Sequence, residues 1–200
     1  MNKRWSLILV AAFALGFGIK AYLNTDAPTT VPLQTSKKTI LFGENGKSVE
    51  IFDKTDPRVR IVYFGFTRCP DVCPTSLAML AGALNQVNDE VKSAFRPVFI
   101  SLDPERDAAA DSYQYAQYFH PQIEGLSAPL DITTPLAHKY GVIFRKTKLE
   151  NSELKYTLDH SSYFYFLKPD GTLITKVPHT LTPAPLVEAM KTIKSQGKTS

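Results

Sequence analysis

The chain has 200 residues, of which 44% are hydrophobic and 21% charged, a balance that suits one globular domain with an appendage and leaves no room for a long disordered region. The formal net charge is +4, and Lys3, Arg4 and Lys20 near the N-terminus supply three of those charges. The remainder is nearly neutral, which excludes a nucleic-acid surface and leaves no nucleic-acid partner to expect.

The first element is "MNKRWSLILVAAFALGFGIKAYL" (1–23), where Lys3 and Arg4 precede an uncharged run from Trp5 to Ile19. As a helix, Trp5 to Leu23 spans roughly 28 Å at about 1.5 Å per residue, close to the ~30 Å hydrocarbon core, with Lys20 snorkelling to the far interface. Residues 1–23 therefore predict a signal-anchor transmembrane helix. The competing reading is a cleaved signal peptide with "AFA" at 12–14 as its small-residue site, although a cut there leaves a very short apolar region. In both readings the positive residues stay inside and the rest of the chain leaves the cytosol. A short charged N-terminus without a transit peptide points to a bacterium, and so to a single-pass protein of the inner (plasma) membrane with its C-terminal domain on the periplasmic side.

Residues 24–36 carry two prolines and no apolar period, the pattern of an extended linker, and residues 37–200 are about one domain's worth of chain. "TILF" and "VEIF" around "GENGK" predict a hairpin. "RVRIVYFGF" (58–66) is apolar on both faces, as a central strand covered by helices would be. Leu77, Leu80, Leu84 and Val87 recur at helical spacing, "RPVFISL" is a second buried strand, and 107–119 is a second helix ended by His120-Pro121. "PLAHKYGV" closes a helix on Gly141, "SYFYFLKPDGTLITKV" is a hairpin around Pro169-Asp170-Gly171, and "PAPLVEAMKTI" is the last helix. Strands separated by helices pair in parallel and the final hairpin adds an antiparallel edge, so the expected domain is α/β, a mixed sheet with helices on both faces.

Cys69 and Cys73, the only cysteines, lie in "FGFTRCPDVCPTS" on the loop that leaves the C-terminal end of the first central strand, where reactive groups gather in such sheets. Pro70 and Pro74 cannot both lie deep inside one helix, so the helix is expected to begin at Pro74 with Cys73 as its N-cap. The helix dipole then favours a thiolate. A structural disulfide is the ordinary reading of two cysteines outside the cytosol, but a loop of about five residues removes little chain entropy. Two thiolates are too few for an iron–sulfur cluster, and structural zinc takes four protein ligands. Two thiolates with one imidazole suit copper in an open three-coordinate site. Of the four histidines, His120, His138 and His179 read as structural. His160 in "YTLDHSSYFYFL" precedes a buried strand and follows the polar excursion "KTKLENSELK", on a loop that faces the cysteines in a thioredoxin-type sheet.

"GFTRCPDVCPTS", "FISLDPERD" and "YTLDHSSYFYFLKPDG" together closely resemble the Sco/SenC family, copper-handling proteins of cytochrome c oxidase assembly, over roughly residues 38–195. The resemblance implies a thioredoxin-like domain outside the membrane that holds one copper ion, as Cu(I) or Cu(II), through Cys69, Cys73 and His160. It also implies a role in maturing the dinuclear copper centre of oxidase subunit II, by delivering copper, by reducing that subunit's cysteines, or both; it names no upstream copper donor. Closure of Cys69 and Cys73 to a disulfide would release the metal, so the two states exclude each other. Asp159 is placed to orient His160, as carboxylates behind metal-bound histidines do, or to cap its loop. Asp71 and Asp103 share the same sheet edge and would add negative potential, with a turn or helix-start role the first reading for Asp103; Arg106 and Asp107 read as turn and cap.

Two rival classes use the same cysteines. A metal-independent thiol-disulfide oxidoreductase normally has Cys-x-x-Cys spacing and a facing X-Pro loop, where this chain has one more residue and Asp159-His160. A peroxiredoxin places threonine three residues before its reactive cysteine, and that position here is Phe66.

Overall fold

The computed structural model describes residues 38–197. The expected anchor (1–23) and linker (24–36) lie outside the described residues, and none of the described helices is long and apolar enough to cross a membrane.

The first two strands, β1 (Ile40–Phe42) and β2 (Ser48–Glu50), form the expected hairpin, with Phe42 opposite Ser48. The chain continues through β3 (Val59–Gly65), α1 (Val72–Gln86), the single turn α2 (Asp89–Lys92) and β4 (Phe95–Ser101). There follow α3 (Ala109–Phe119), β5 (Glu124–Leu126) and α4 (Leu130–Lys139), which ends at Gly141 with a φ of 73° that only glycine adopts cheaply. Next come β6 (Phe144–Lys148), β7 (Tyr156–His160), β8 (Tyr163–Leu167), β9 (Leu173–Pro178) and α5 (Ala184–Gln196).

The main sheet has the order β5-β4-β3-β8-β9. β3, β4 and β5 run parallel, while β8 is antiparallel to both β3 and β9. This is the mixed sheet that the alternation of strands and helices dictates. Every residue of β4 is buried, and so are Arg60 to Gly65 of β3, because helical crossovers leave neither face of a central parallel pair to solvent. α1 buries Leu77, Leu80 and Leu84 in the core. α3 lies directly on β5: a side chain at Gly125 would meet the Ser112 carbonyl oxygen at 1.9 Å.

Arg60 is a charged residue at a core position, fully buried on β3. Its guanidinium donates to the carbonyls of Ile51 (3.0 Å), Asp53 (2.7 Å), Asp56 (2.8 Å) and Arg58, so it fastens the loop that leads into β3. The cation is tolerated because its donors are satisfied and the Asp56 carboxylate stands 4.0 Å away.

Two local expectations are corrected. α1 begins at Val72 rather than Pro74, with Asp71 at the N-cap position and no side-chain capping bond. First-turn amides have no acceptor within the helix, so Pro74 sacrifices nothing there, and Cys73 sits inside the first turn instead of capping it. His160 is not on a loop. β6 and β7 pair antiparallel as a separate two-stranded sheet, with Phe144 opposite His160 and Lys148 opposite Tyr156, so His160 ends a strand of its own.

Candidate metal centre

β3 delivers the chain to its C-terminal edge at Gly65, and the turn Phe66–Asp71 carries it into α1. The Cys69 amide donates to the Phe66 carbonyl at 3.3 Å, and the Cys73 amide, unpaired within the helix, points at Cys69 Sγ at 3.4 Å. The β7 end brings His160 across from the other side, its Nε2 3.4 Å from Cys73 Sγ. The ligand atoms of Cys69, Cys73 and His160 all lie within 4.8 Å of one another, the single such group among the described residues. Cys73 is fully buried, while Cys69 and His160 are half-buried, which leaves the site open on one side.

The backbone cannot be filled in at Gly65. A methyl group there would meet Cys73 Sγ at 2.9 Å, the Tyr63 ring at 3.0 Å and the Phe99 ring at 3.1 Å. Aromatic edges also fix the imidazole, with Phe66 and Tyr63 at 5.9 and 6.3 Å between ring centroids and both nearly perpendicular to it.

His160 Nδ1 is 3.1 Å from the Ser161 carbonyl. A carbonyl only accepts, so the neutral ring carries its hydrogen on Nδ1 and presents the Nε2 lone pair to the sulfurs. Both cysteines are free thiols and divide their protons unevenly. The Cys73 thiol donates to Cys69, which holds Cys69 well below the ordinary thiol range, helped by the Asp71 and Cys73 amides. The same bond, with burial second, pushes Cys73 up. A thiolate, a buried thiol and an imidazole lone pair fit one soft ion in a three-coordinate arrangement; a fourth protein ligand of the kind structural zinc requires is missing from this group.

The loop between β4 and α3, "LDPERDA", holds both halves of the centre. Asp107 is fully buried; its carboxylate accepts from the Thr67 amide (2.8 Å), the Thr67 hydroxyl (2.5 Å) and the Ser101 hydroxyl (2.7 Å), tying down the cysteine turn. Asp103, also buried, accepts from Tyr156 (2.7 Å) and from Arg106 Nε (2.5 Å). Arg106 lies 3.6 Å over the Tyr156 ring and donates to the Leu154 and Tyr156 carbonyls at 3.0 and 2.9 Å, which fastens the hairpin that carries His160.

Of the acidic residues, Asp159 is placed differently from the sequence expectation, while Asp103 makes the expected turn, its carbonyl accepting from the Arg106 and Asp107 amides. Asp159 is exposed and faces away along β7, its carboxylate accepting from Thr147 (2.5 Å) and Arg145 (3.3 Å), while Ser161 takes the His160 nitrogen that Asp159 was expected to orient. This follows from β geometry, since neighbouring strand residues point to opposite faces. Asp71 is exposed beside the cysteines, and Asp103 is engaged with the hairpin. Asp107, read as a cap, is the residue that sequence reasoning undervalued; its two partners across the loop, Thr67 and Ser101, are 40 and 6 positions away. His120 accepts from the Gln122 amide, His138 lies against the Phe144 ring, and His179 meets Ser76 at 2.7 Å, so none of the three joins the group.

A family model described as SCO1/SenC matches residues 41–195. Protein sco1 of Schizosaccharomyces pombe is 30% identical over 194 residues, which are 91% of this chain and 74% of that protein. Among solved structures, Arabidopsis thaliana ScoI with copper bound is 32% identical with a TM-score of 0.67, covering 79% of this chain and 97% of that one. Bradyrhizobium japonicum ScoI with copper bound is 31% identical with a TM-score of 0.64, covering 77% of this chain and 96% of that one. With the sheet, the cysteine turn and the histidine strand all in place, the chain belongs to the SCO1/SenC family.

Proposed function

We propose that the chain binds one copper ion through Cys69, Cys73 and His160 and serves in cytochrome c oxidase assembly, maturing the dinuclear copper centre of subunit II. The convergence of two sulfurs and an imidazole nitrogen within 4.8 Å carries this reading. The copper-bound ScoI structures of the same family support it. Soft thiolates favour Cu(I), and the imidazole extends the site to Cu(II). In this reading residues 1–23 anchor the chain in the bacterial inner membrane, 24–36 form a tether, and the domain of 37–200 works on the periplasmic side.

The residues divide the work. Cys69 is the half-buried ligand through which an ion enters and leaves, Cys73 is the fully buried one, and His160 offers Nε2 because Ser161 holds its other nitrogen. Titration of the purified, reduced chain with Cu(I) and Cu(II) tests the assignment. One copper per chain is expected, with a visible thiolate-to-copper absorption for Cu(II), and His160→Ala should lose the Cu(II) form. Undiminished Cu(II) binding by that variant would remove His160 from the ligand set.

A second reading uses the same pair as a reductant of subunit II. The low, half-exposed Cys69 thiol favours it. The Cys69 thiolate attacks one sulfur of a target disulfide and displaces the other, Cys73 then closes on Cys69, and two electrons and two protons pass to the target. A chain that binds no copper yet reduces such a disulfide stoichiometrically would make this the main activity.

A further inference from the structure

The hairpin of β6 and β7 has one edge that the domain uses and one that it leaves open. The Ser161 amide donates to the Ile143 carbonyl at 3.0 Å and the Leu149 amide to the Lys155 carbonyl at 2.9 Å. In the register that sets Arg145 opposite Asp159 and Thr147 opposite Thr157, the odd-numbered residues of β6 are therefore the ones bonded to β7. The N–H and C=O groups of the even-numbered residues point outward from both strands. On the β7 side Arg106 takes the Leu154 and Tyr156 carbonyls. On the β6 side the backbone groups of Phe144, Lys146 and Lys148 meet no hydrogen-bond partner among the described residues, because the sheet has only two strands. This open edge starts at the metal centre, where Phe144 is paired with His160. Just before it Ile143 leaves a large apolar side chain 75% exposed. Arg145, Lys146 and Lys148 follow, all exposed, and the strand holds no acidic residue. Asp159 meets Arg145 and Glu105 meets Lys146, both at the surface, while Lys148 has no acidic partner among the described residues. Surface pairs of this kind contribute little, so they are open to exchange.

An open strand edge is a template for another strand, and lysines on it oppose pairing with a second copy. Two copies of β6 side by side set cations against cations, whereas cross-strand pairs gain from opposite charge. We propose that β6 is a docking edge for an extended, acidic segment of the protein that exchanges copper with the centre, added to the hairpin as a third strand. Its main-chain bonds go to Phe144, Lys146 and Lys148. An apolar residue of the segment covers Ile143 at the end next to His160, and its acidic residues face Arg145, Lys146 and Lys148. That the segment belongs to a copper-exchanging protein rests on the copper-binding reading above. Strand addition on this side of the hairpin holds the partner beside the centre and makes no bond to Cys69, Cys73 or His160, which stay free for the ion.

Amide NMR of the full chain tests the edge with two blocked, short peptides, one alternating valine with glutamate and one alternating valine with lysine. The glutamate peptide should slow solvent exchange of the Phe144, Lys146 and Lys148 amides about tenfold or more, while the Arg145 and Thr147 amides are protected by β7 with or without it. The lysine peptide should leave all five unchanged. Lys146→Pro removes one outward amide and no bond between β6 and β7, so it should abolish the response with Arg145 and Thr147 still protected. Lys148→Glu leaves the backbone alone and should weaken binding of the glutamate peptide about tenfold. No protection at the outward amides, equal binding of the two peptides, or undiminished binding by Lys148→Glu would each overturn the inference, the last even if Lys146→Pro disrupts the hairpin. Dimers that Lys146→Pro dissolves would overturn it too, because the occupant would then be a second copy. A chain that takes the glutamate peptide on this edge yet binds no copper would instead overturn the function proposed above, and with it the identity of the partner, while the edge itself stands.

Discussion

Cys69 is half-buried and Cys73 fully buried, so one turn of helix presents solvent with a single reactive sulfur from a pair that looks symmetrical in the sequence. The uneven sharing of protons adds a second asymmetry in the same direction, because Cys69 is held low by the bond from Cys73 while Cys73 is raised. Iodoacetamide should therefore modify Cys69 first, and should do so at about pH 6, where an ordinary thiol is nearly inert. Peptide mass spectrometry after partial modification reads the order directly; equal labelling, or labelling that begins only near the usual thiol range, would contradict the arrangement. The motif pointed to these two residues and His160 together, and the structure brings their ligand atoms within 4.8 Å of one another. Asp159 was misplaced for a reason equally physical: adjacency in sequence says nothing about which face of a strand a side chain occupies.

At the level of elements, the informative unit is the hairpin of β6 and β7. Its strands "FRKTK" and "YTLDH" make a sheet of their own and turn Phe144, Tyr156 and Leu158 toward the core, but so few apolar residues among the polar ones leave too short an alternation to announce two strands. Besides Leu158 in the core and the Lys146–Glu105 ion pair, the hairpin is held to the domain by a latch of three residues, Asp103, Arg106 and Tyr156, two of them in the loop after β4 and one on β7. Arg106→Ala would leave the buried Asp103 carboxylate without its cation and free the Leu154 and Tyr156 carbonyls. Roughly 3 kcal/mol of stability should be lost in urea unfolding. The rest of the prediction concerns the site: since the latch fixes the strand that ends at His160, metal affinity should fall although none of the three ligands is touched. Retained affinity would mean that the hairpin is held by other contacts. Arg106→Lys should rescue little, because a point charge cannot stack on Tyr156 and reach two carbonyls at once.

For the molecule as a whole, the sheet was legible where burial is two-sided. "RVRIVYFGF" and "RPVFISL" became β3 and β4, "SYFYFL" became β8, and the parallel and antiparallel pairings followed from what connects them. The α1 start was misjudged by two residues because the prolines were weighed against the helix interior and not its first turn. Far from the centre, Asp56 gathers Arg58 at 2.7 Å, Arg96 at 3.8 Å and Arg60 at 4.0 Å. Arg58 in particular depresses its carboxyl from 3.8 to about 2. The folded value lies below the unfolded one, so this contribution to stability is complete above about pH 4 and is lost as the pH falls through about 2. Asp56→Asn should flatten that acid limb in urea unfolding at pH values between the two, and an unchanged slope would place the acid sensitivity elsewhere.

His160 lies 87 positions from Cys73 along the chain. An unfolded chain keeps the two sulfurs together, since only three residues separate them, but has no imidazole at hand. An ion that prefers all three ligands therefore binds the native state better than the unfolded ensemble, and at a free concentration of about 100 times its dissociation constant would add about 2.7 kcal/mol against unfolding. Loaded and empty forms of the domain should thus differ in lifetime toward proteases. A chain that has given up its ion would be the one cleared first, and a chain not yet folded would be a poor carrier from the start.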